Sequence, residues 1–126
     1  MYKFWMASLL IVISSIVLAV FPVQAASPNP TWKSYTNPEY SVATKIFNVG
    51  DTVYMRGENH TANTEYVVWF SYSHVGISST TLSDVKGIIT ARIIIPPGSA
   101  GHWTTAIWPV LPIDKMIKTK FLVKDQ

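Results

Sequence analysis

Three histidines are the side chains in this sequence best suited to metal chemistry, because imidazole is a common ligand of zinc and copper. They are His60, His74 and His102, and the 126 residues contain no cysteine. The spacings of 14 and 28 residues include no His-x-His or His-x3-His pair, and no acidic partner is in register. We therefore predict loop histidines without a metal. The absence of cysteine also excludes thiol catalysis and thiolate metal ligands.

Serines and carboxylates show no catalytic spacing. A hydrolase needs a nucleophilic serine on a sharp turn, and the motif G-x-S-x-G does not occur. No carboxylate has a second one at the spacing of a catalytic pair or a calcium loop. The carboxylates considered are Asp51, Glu58, Glu65, Asp84 and Asp114. Residues 98–101 lack the Lys-Ser/Thr and the helix of a phosphate-binding loop. The sequence therefore predicts a non-catalytic protein without a cofactor.

Aromatic side chains are the main candidates for binding, since an exposed ring offers a flat surface on which a sugar or a protein group stacks. Trp69 and Trp103 lie in the most apolar predicted strands, which favours the core for both. The candidates for a contact surface are Trp32, Tyr35, Tyr40 and Trp108. The first three precede the predicted domain, and the fourth is followed by a proline that ends a strand.

Asn59-His60-Thr61 is an N-glycosylation sequon within a polar loop predicted over residues 57–63. Asn59 is therefore a candidate glycosylation site in a host that has the required enzymes. Such triplets also occur by chance, and an unmodified loop is the alternative.

The first 25 residues have the layout of a secretory signal peptide. Lys3 supplies a positive charge, residues 7–20 form an apolar run interrupted by serines, and Val23-Gln24-Ala25 offers small residues before a cut. The run is shorter than the roughly 20 residues of a membrane span. We predict export through the general secretory route and a secreted or cell-surface protein. Membrane contact arises only if the segment stays uncleaved as an anchor.

Residues 26–126 have the length of one domain, which must depend on one packed core because no disulfide is available. Without Lys3, nine Lys and Arg residues stand against seven Asp and Glu, and they form no basic stripe. We therefore predict no nucleic-acid partner. Charged residues make up 13% of the chain, about half the usual share. A weakly charged surface suits a domain that packs against neighbours.

We divide this part of the chain into an arm and a β-sandwich. Three prolines interrupt residues 26–40, which predicts an extended arm. Short apolar runs bounded by turns follow within residues 41–126. The predicted strands are 41–47, 52–56, 65–73, 78–82, 88–95, 102–108 and 116–124. Strand 65–73 is predicted to be buried on both faces. Strand 116–124 alternates, with lysines facing water. About seven short strands predict an all-β, antiparallel sandwich of immunoglobulin-like type.

The stretch from Thr44 to Gly57, TKIFNVGDTVYMRG, resembles the opening strands of exported immunoglobulin-like modules. These include macroglobulin-like domains and bacterial and archaeal surface-protein domains that begin T-D-K-x-Y-x-x-G-D-x-V-x-x-x-G. The segment 84–87 resembles their D-x-x-G turn. The segment 97–103 resembles their P-x-x-x-x-G-x-W/Y entry to the penultimate strand, with three residues instead of four between Pro97 and Gly101. The chain departs from the pattern at Asn48-Val49, where a proline usually precedes the glycine, and it lacks the Asp before Lys45. The resemblance implies a fold that serves many roles.

These features together predict an exported, non-catalytic structural or adhesive module at the cell surface, which assembles with other surface proteins or with copies of itself. The alternative is a β-sandwich that binds carbohydrate or another small ligand through exposed aromatic side chains. Saturable sugar binding that is lost with one aromatic side chain would distinguish the second function from the first.

Overall fold

Two β-sheets pack face to face in the computed structural model of the protein, which describes residues 29–111 and 115–125. The predicted signal peptide, residues 1–25, and Asp114 lie outside the described residues. The strands are β1 (Lys33–Tyr35), β2 (Ile46–Asn48), β3 (Thr52–Gly57), β4 (Glu65–Tyr72), β5 (Val75–Leu82), β6 (Ile89–Ile94), β7 (Gly101–Pro109) and β8 (Ile117–Lys124).

One sheet has three strands in the order β1-β3-β6, and the other has five in the order β2-β8-β7-β4-β5. Neighbouring strands are antiparallel except β2 and β8, which are parallel. The described residues contain no helix, so the predicted all-β class is confirmed. Within the same ranges, no helical segment has the length and apolar character needed to cross a membrane.

Alternation along each strand determines which side chains reach the core. On β3, Val53 and Met55 are fully buried whereas Tyr54 and Arg56 lie on the outer face, as their spacing predicted. The apolar side chains buried between the sheets are Trp32, Phe47, Val53, Met55, Tyr66, Val68, Phe70, Ile89, Ile95, Trp103, Ile107, Phe121 and Val123. This single cluster supplies the packing that a domain without disulfides requires.

Trp103 on β7 occupies the predicted core position. Its ring stacks between those of Tyr72 and Phe121, with centroid distances of 5.5 and 5.7 Å. The indole N–H donates to the carbonyl oxygen of Ser99 at 2.8 Å, so the one polar atom of the ring is satisfied inside the core.

The predicted first strand, residues 41–47, does not form one continuous ladder. The N–H of Thr44 donates to the carbonyl of Ser34 on β1, whereas the carbonyl of Lys45 accepts from the N–H of Leu122 on β8. The chain therefore leaves one sheet for the other between residues 44 and 45. Only the last part of the predicted segment joins a strand, β2, and Ala43 forms an isolated bridge with Tyr35.

The predicted arm, residues 26–40, is partly built into the sandwich. Lys33–Tyr35 pairs with β3 at the edge of the three-stranded sheet, so the sandwich begins before the predicted boundary at residue 41. Trp32 is 3% exposed, and its indole N–H donates to the hydroxyl oxygen of Thr105 at 3.0 Å. Backbone pairing with β3 and burial of a large ring together favour this arrangement over a free arm.

Strand β4 has one buried face, not two as its apolar run predicted. Tyr66, Val68 and Phe70 point into the core, and Val67 and Trp69 are half-buried on the opposite side. The reason is that the three-stranded sheet covers only the inner face of β4. Trp69 is therefore a surface-layer residue and not the core residue that the sequence favoured.

Candidate functional site

The described residues contain no group of three potential metal ligands. His74 and His102 are exposed. His60 is half-buried. Its Nε2–H donates to the carbonyl of Thr31 at 2.7 Å, and its ring lies edge-on to that of Tyr66 at a centroid distance of 5.3 Å. The geometry gives His60 a structural role, which is to hold the loop after β3 against the segment before β1.

The free edge of β5 is the least protected strand edge in the described part of the chain. Its sequence, VGISSTTL, contains no charge and no proline, and seven of its eight residues are exposed. All eight positions pair with β4 without a bulge. The exposed fractions of Val75, Ile77 and Leu82 are 63%, 51% and 65%. Long, flat and apolar edges are templates for pairing with another chain.

The other strand edges carry devices that discourage such pairing. The outer edge of β1 is partly covered, since the carbonyl of Ser34 accepts from the N–H of Thr44 at 3.1 Å. Strand β6 carries Arg92 and is followed closely by two prolines, and β2 is only three residues long. Charges, prolines and short length are the usual protection of an edge, so β5 differs from the other edges.

Two tryptophans lie on the outer face of the five-stranded sheet. Trp69 on β4 is directly opposite Ala106 on β7, and Val67 is opposite Trp108. Both rings are half-buried, and Ala106 is completely buried although it faces outward. A Cβ on Gly76 would lie 2.8 Å from Nε1 of Trp69, so the glycine on β5 leaves room for the indole. Trp69 and Trp108 are thus the aromatic patch of this face.

Three tyrosines and an arginine form a second cluster, on the outer face of the three-stranded sheet. The ring of Tyr40 lies edge-on to those of Tyr35 and Tyr54, at centroid distances of 5.7 and 6.3 Å. The guanidinium of Arg56 is 5.5 Å from the Tyr40 ring centroid, and its Nε–H donates to Glu58 at 3.0 Å. Tyr40 has a positive φ of 56°, which turns the chain back over the sheet.

The four predicted contact residues therefore do not form one surface. Trp32 is in the core, which corrects its assignment to a contact surface, because its indole packs between the sheets and donates to Thr105 on β7. Tyr35 and Tyr40 belong to the tyrosine cluster, and Trp108 belongs to the opposite sheet. Trp69 is a surface residue that the sequence did not indicate, because the unbroken apolar run of β4 masked the alternation of its two faces.

The sequon lies on the surface. Asn59 is exposed with a φ of 64°, and its Nδ2–H donates to the carbonyl of Asn29 at 3.2 Å. The side chain of Thr61 is also exposed. Modification at Asn59 would replace this one surface hydrogen bond.

The chain matches no protein-family model and no curated protein sequence. Its function is therefore inferred from the surfaces described above.

Proposed function

We propose that this protein is an exported, non-catalytic structural or adhesive module that assembles with copies of itself through β5. The observation that carries the proposal is the free, exposed edge of this uncharged strand, whose eight residues all pair with β4 on the other side. Its unpaired backbone groups lie beside the exposed side chains of Val75, Ile77 and Leu82, so a second strand gains both hydrogen bonds and buried apolar area.

Pairing of β5 with β5 of a second copy joins the two five-stranded sheets into one continuous sheet. An antiparallel arrangement about a two-fold axis uses the same residues on both copies, and such an interface closes as a dimer. A longer assembly then requires a second, different contact surface on each copy.

The immunoglobulin-like type of the sandwich is part of this proposal. Several features support it: two packed sheets whose strands are antiparallel except for the parallel pair of β2 and β8, and the core position of Trp103. The Gly50-Asp51 pair of the resembling motif forms a tight turn before β3, where Asp51 N–H donates to the carbonyl of Asn48 at 3.0 Å. Such sandwiches serve as modules in which function resides on surfaces and not in the fold.

Export and a position at the cell surface are proposed from the amino-terminal sequence. Its charge, apolar run and small residues before Ala26 are those of a secretory signal peptide. A low charged fraction and the exposed apolar edge of β5 are consistent with a protein that works in contact with others.

The test uses the secreted protein obtained by expressing the full chain. Ile77→Lys places a charge in the middle of the β5 edge, and Val85→Lys makes a comparable change at a turn residue that is 75% exposed. We expect sedimentation analysis to show association of the parent and of Val85→Lys, and a monomer for Ile77→Lys. Circular dichroism verifies that all three are folded. A parent protein that stays monomeric at high concentration, or Ile77→Lys that still associates, would contradict the proposal.

A second candidate function is carbohydrate binding, which the patch of Trp69 and Trp108 favours. Two flat rings beside hydroxyl-bearing side chains and Lys118 give both stacking surface and hydrogen-bond donors. For this function we expect saturable binding to a soluble oligosaccharide that Trp108→Ala abolishes and Ile77→Lys leaves unchanged. The absence of saturable binding across a panel of sugars would rule it out.

A further inference from the structure

An open cleft of about 660 Å³ runs along the side of the sandwich between β1 and β8. It is open because β2 pairs only with residues 122–124 of β8, so the first half of β8 has no partner on that side among the described residues. The cleft is lined by residues 31–34, 43–45 and 117–119. The crossing segment 43–45 closes one end.

The backbone of β8 presents hydrogen-bonding groups to this cleft. The N–H of Leu122 donates to the carbonyl of Lys45, and the carbonyl of Lys124 accepts from Val49, both on the β2 side. Backbone groups of alternate residues in a strand point to the same edge. The N–H and C=O groups of Lys118 and Lys120 therefore point to that edge, into the part that β2 does not cover.

The charge of the cleft is uniformly positive. Lys33 is on the outer side of β1, Lys118 on the outer side of β8, and Lys45 on the crossing segment, and all three are exposed. Lys120 continues the row along β8. None of the lining residues is acidic, and the carboxylate of Glu58, near the Thr31 end, is engaged by Arg56 at 3.0 Å. The apolar lining residues Trp32, Ala43 and Ile117 form what we call the apolar floor of the cleft.

We propose that this cleft binds an extended acidic segment of a partner protein, which adds to β8 as an extra strand. Main-chain bonds to Lys118 and Lys120 supply affinity, and side chains of the segment alternate between the two faces. Those on the outer face of the five-stranded sheet lie beside Lys118 and Lys120, so they are acidic. Those on the inner face enter the apolar floor, so they are small and apolar.

The charge pattern identifies the occupant as another protein and not as a second copy of this chain. The sequence has seven Asp and Glu residues, and no two of them are closer than seven positions apart. No segment of the chain therefore has acidic side chains at alternate positions. Lysines at the edge also repel a second β8, since like charges placed opposite each other are unfavourable.

The probe is a short, end-blocked synthetic peptide that alternates Glu and Val, titrated into the secreted protein. Lys118→Glu combined with Lys120→Glu removes the charge complementarity, and Lys86→Glu combined with Arg92→Glu is the control with the same change of net charge. We expect saturable binding by calorimetry, at least about tenfold weaker for the first variant, and near-parental binding for the control. Amide exchange at residues 118 and 120 should slow when the peptide binds.

Two further probes test the mode of binding. The same peptide N-methylated at alternate amides keeps its charge but loses main-chain donors, and we expect it not to bind. The proposal is overturned if no saturable binding occurs. It is also overturned if the methylated peptide and heparin bind as tightly as the parent peptide, because the lysines then act only as a polyanion surface. The variant Ile77→Lys should bind the peptide as tightly as the parent protein. Peptide binding at β8 can therefore be tested independently of assembly through β5.

Discussion

At the residue scale, Trp103 shows how one side chain joins several parts of the core. Its ring stacks on Tyr72 and Phe121, and its N–H donates to Ser99 in the turn before β7. Replacement of Trp103 by alanine removes the ring on which Tyr72 and Phe121 stack and leaves a cavity. It also leaves the carbonyl of Ser99 without its hydrogen bond. These three losses act in the same direction.

We expect Trp103→Ala to lower the free energy of unfolding by about 3–5 kcal/mol, a large part of the total for one small domain. Chemical denaturation followed by circular dichroism measures the change. Trp108→Ala is the matched control, because Trp108 is half-buried on the outer face, and we expect it to cost less. A loss below about 1 kcal/mol for Trp103→Ala would be inconsistent with its position in the core.

Asp84, in the turn before β6, makes a pH-dependent contribution to the stability of the folded protein. Its Oδ1 accepts from the backbone N–H of Ile88 at 2.9 Å and of Lys86 at 2.8 Å. The hydrogen bond from Ile88 is the main cause that lowers the pKa of the Asp84 carboxyl below its usual value, and the bond from Lys86 adds to it. The ionised form is favoured in the folded state, so the contribution is present above the unfolded pKa and is lost as the pH falls through the folded pKa.

We expect Asp84→Asn to remove this pH dependence, since an amide oxygen still accepts hydrogen bonds but does not titrate. The stability difference between the parent and Asp84→Asn should therefore be constant at neutral pH and shrink below about pH 4. Urea denaturation at a series of pH values measures it. A difference that does not change with pH would mean that the carboxyl has the same pKa in both states.

At the element scale, β1 is tied to the five-stranded sheet by one buried hydrogen bond. The indole N–H of Trp32 donates to the hydroxyl of Thr105 on β7, which is fully buried. The bond spans the two sheets, so it positions the short strand β1 as well as satisfying two polar groups.

A double-mutant cycle of Trp32→Phe and Thr105→Val tests this link. Thr105→Val leaves the indole N–H buried without a partner, and we expect a cost of about 1–3 kcal/mol. The double variant should cost less than the sum of the single ones, because both polar partners are then absent. Additivity within about 0.5 kcal/mol would show that the two groups are not coupled.

At the scale of the whole molecule, the two proposed contacts lie on opposite edges of the five-stranded sheet, β5 at one edge and the cleft beside β8 near the other. Occupation of one therefore leaves the other open. A dimer paired through β5 would have one β8 cleft at each end, and each cleft could bind an acidic segment of a partner protein. The dimer would therefore crosslink two partner molecules.

Export predicts a defined amino terminus for the working protein. If the signal peptide is removed after Ala25, intact mass of the secreted product should correspond to a chain that begins at Ala26. In a host that glycosylates, added mass that disappears in Asn59→Gln would assign the sequon. Recovery of the full-length chain from membranes would instead make the segment an anchor.

Local sequence was sufficient for the all-β class, for strands β3, β4, β6, β7 and β8, and for the core position of Trp103. Each of these depends on local alternation and turn residues, which are written directly in the chain. The exposed lysines of β8 follow from the same period of two. Strand β5 was predicted only over residues 78–82, and it begins at Val75.

Contacts between distant segments determined the rest. Trp32 is held in the core by a hydrogen bond to the hydroxyl of Thr105, 73 positions away. The chain crosses between the sheets at residues 44 and 45 because their backbone partners belong to different sheets. Trp69 lies on the surface because only one face of β4 is covered. The cleft exists because β2 is shorter than β8, and a strand's pairing partner is a property of the fold and not of local sequence.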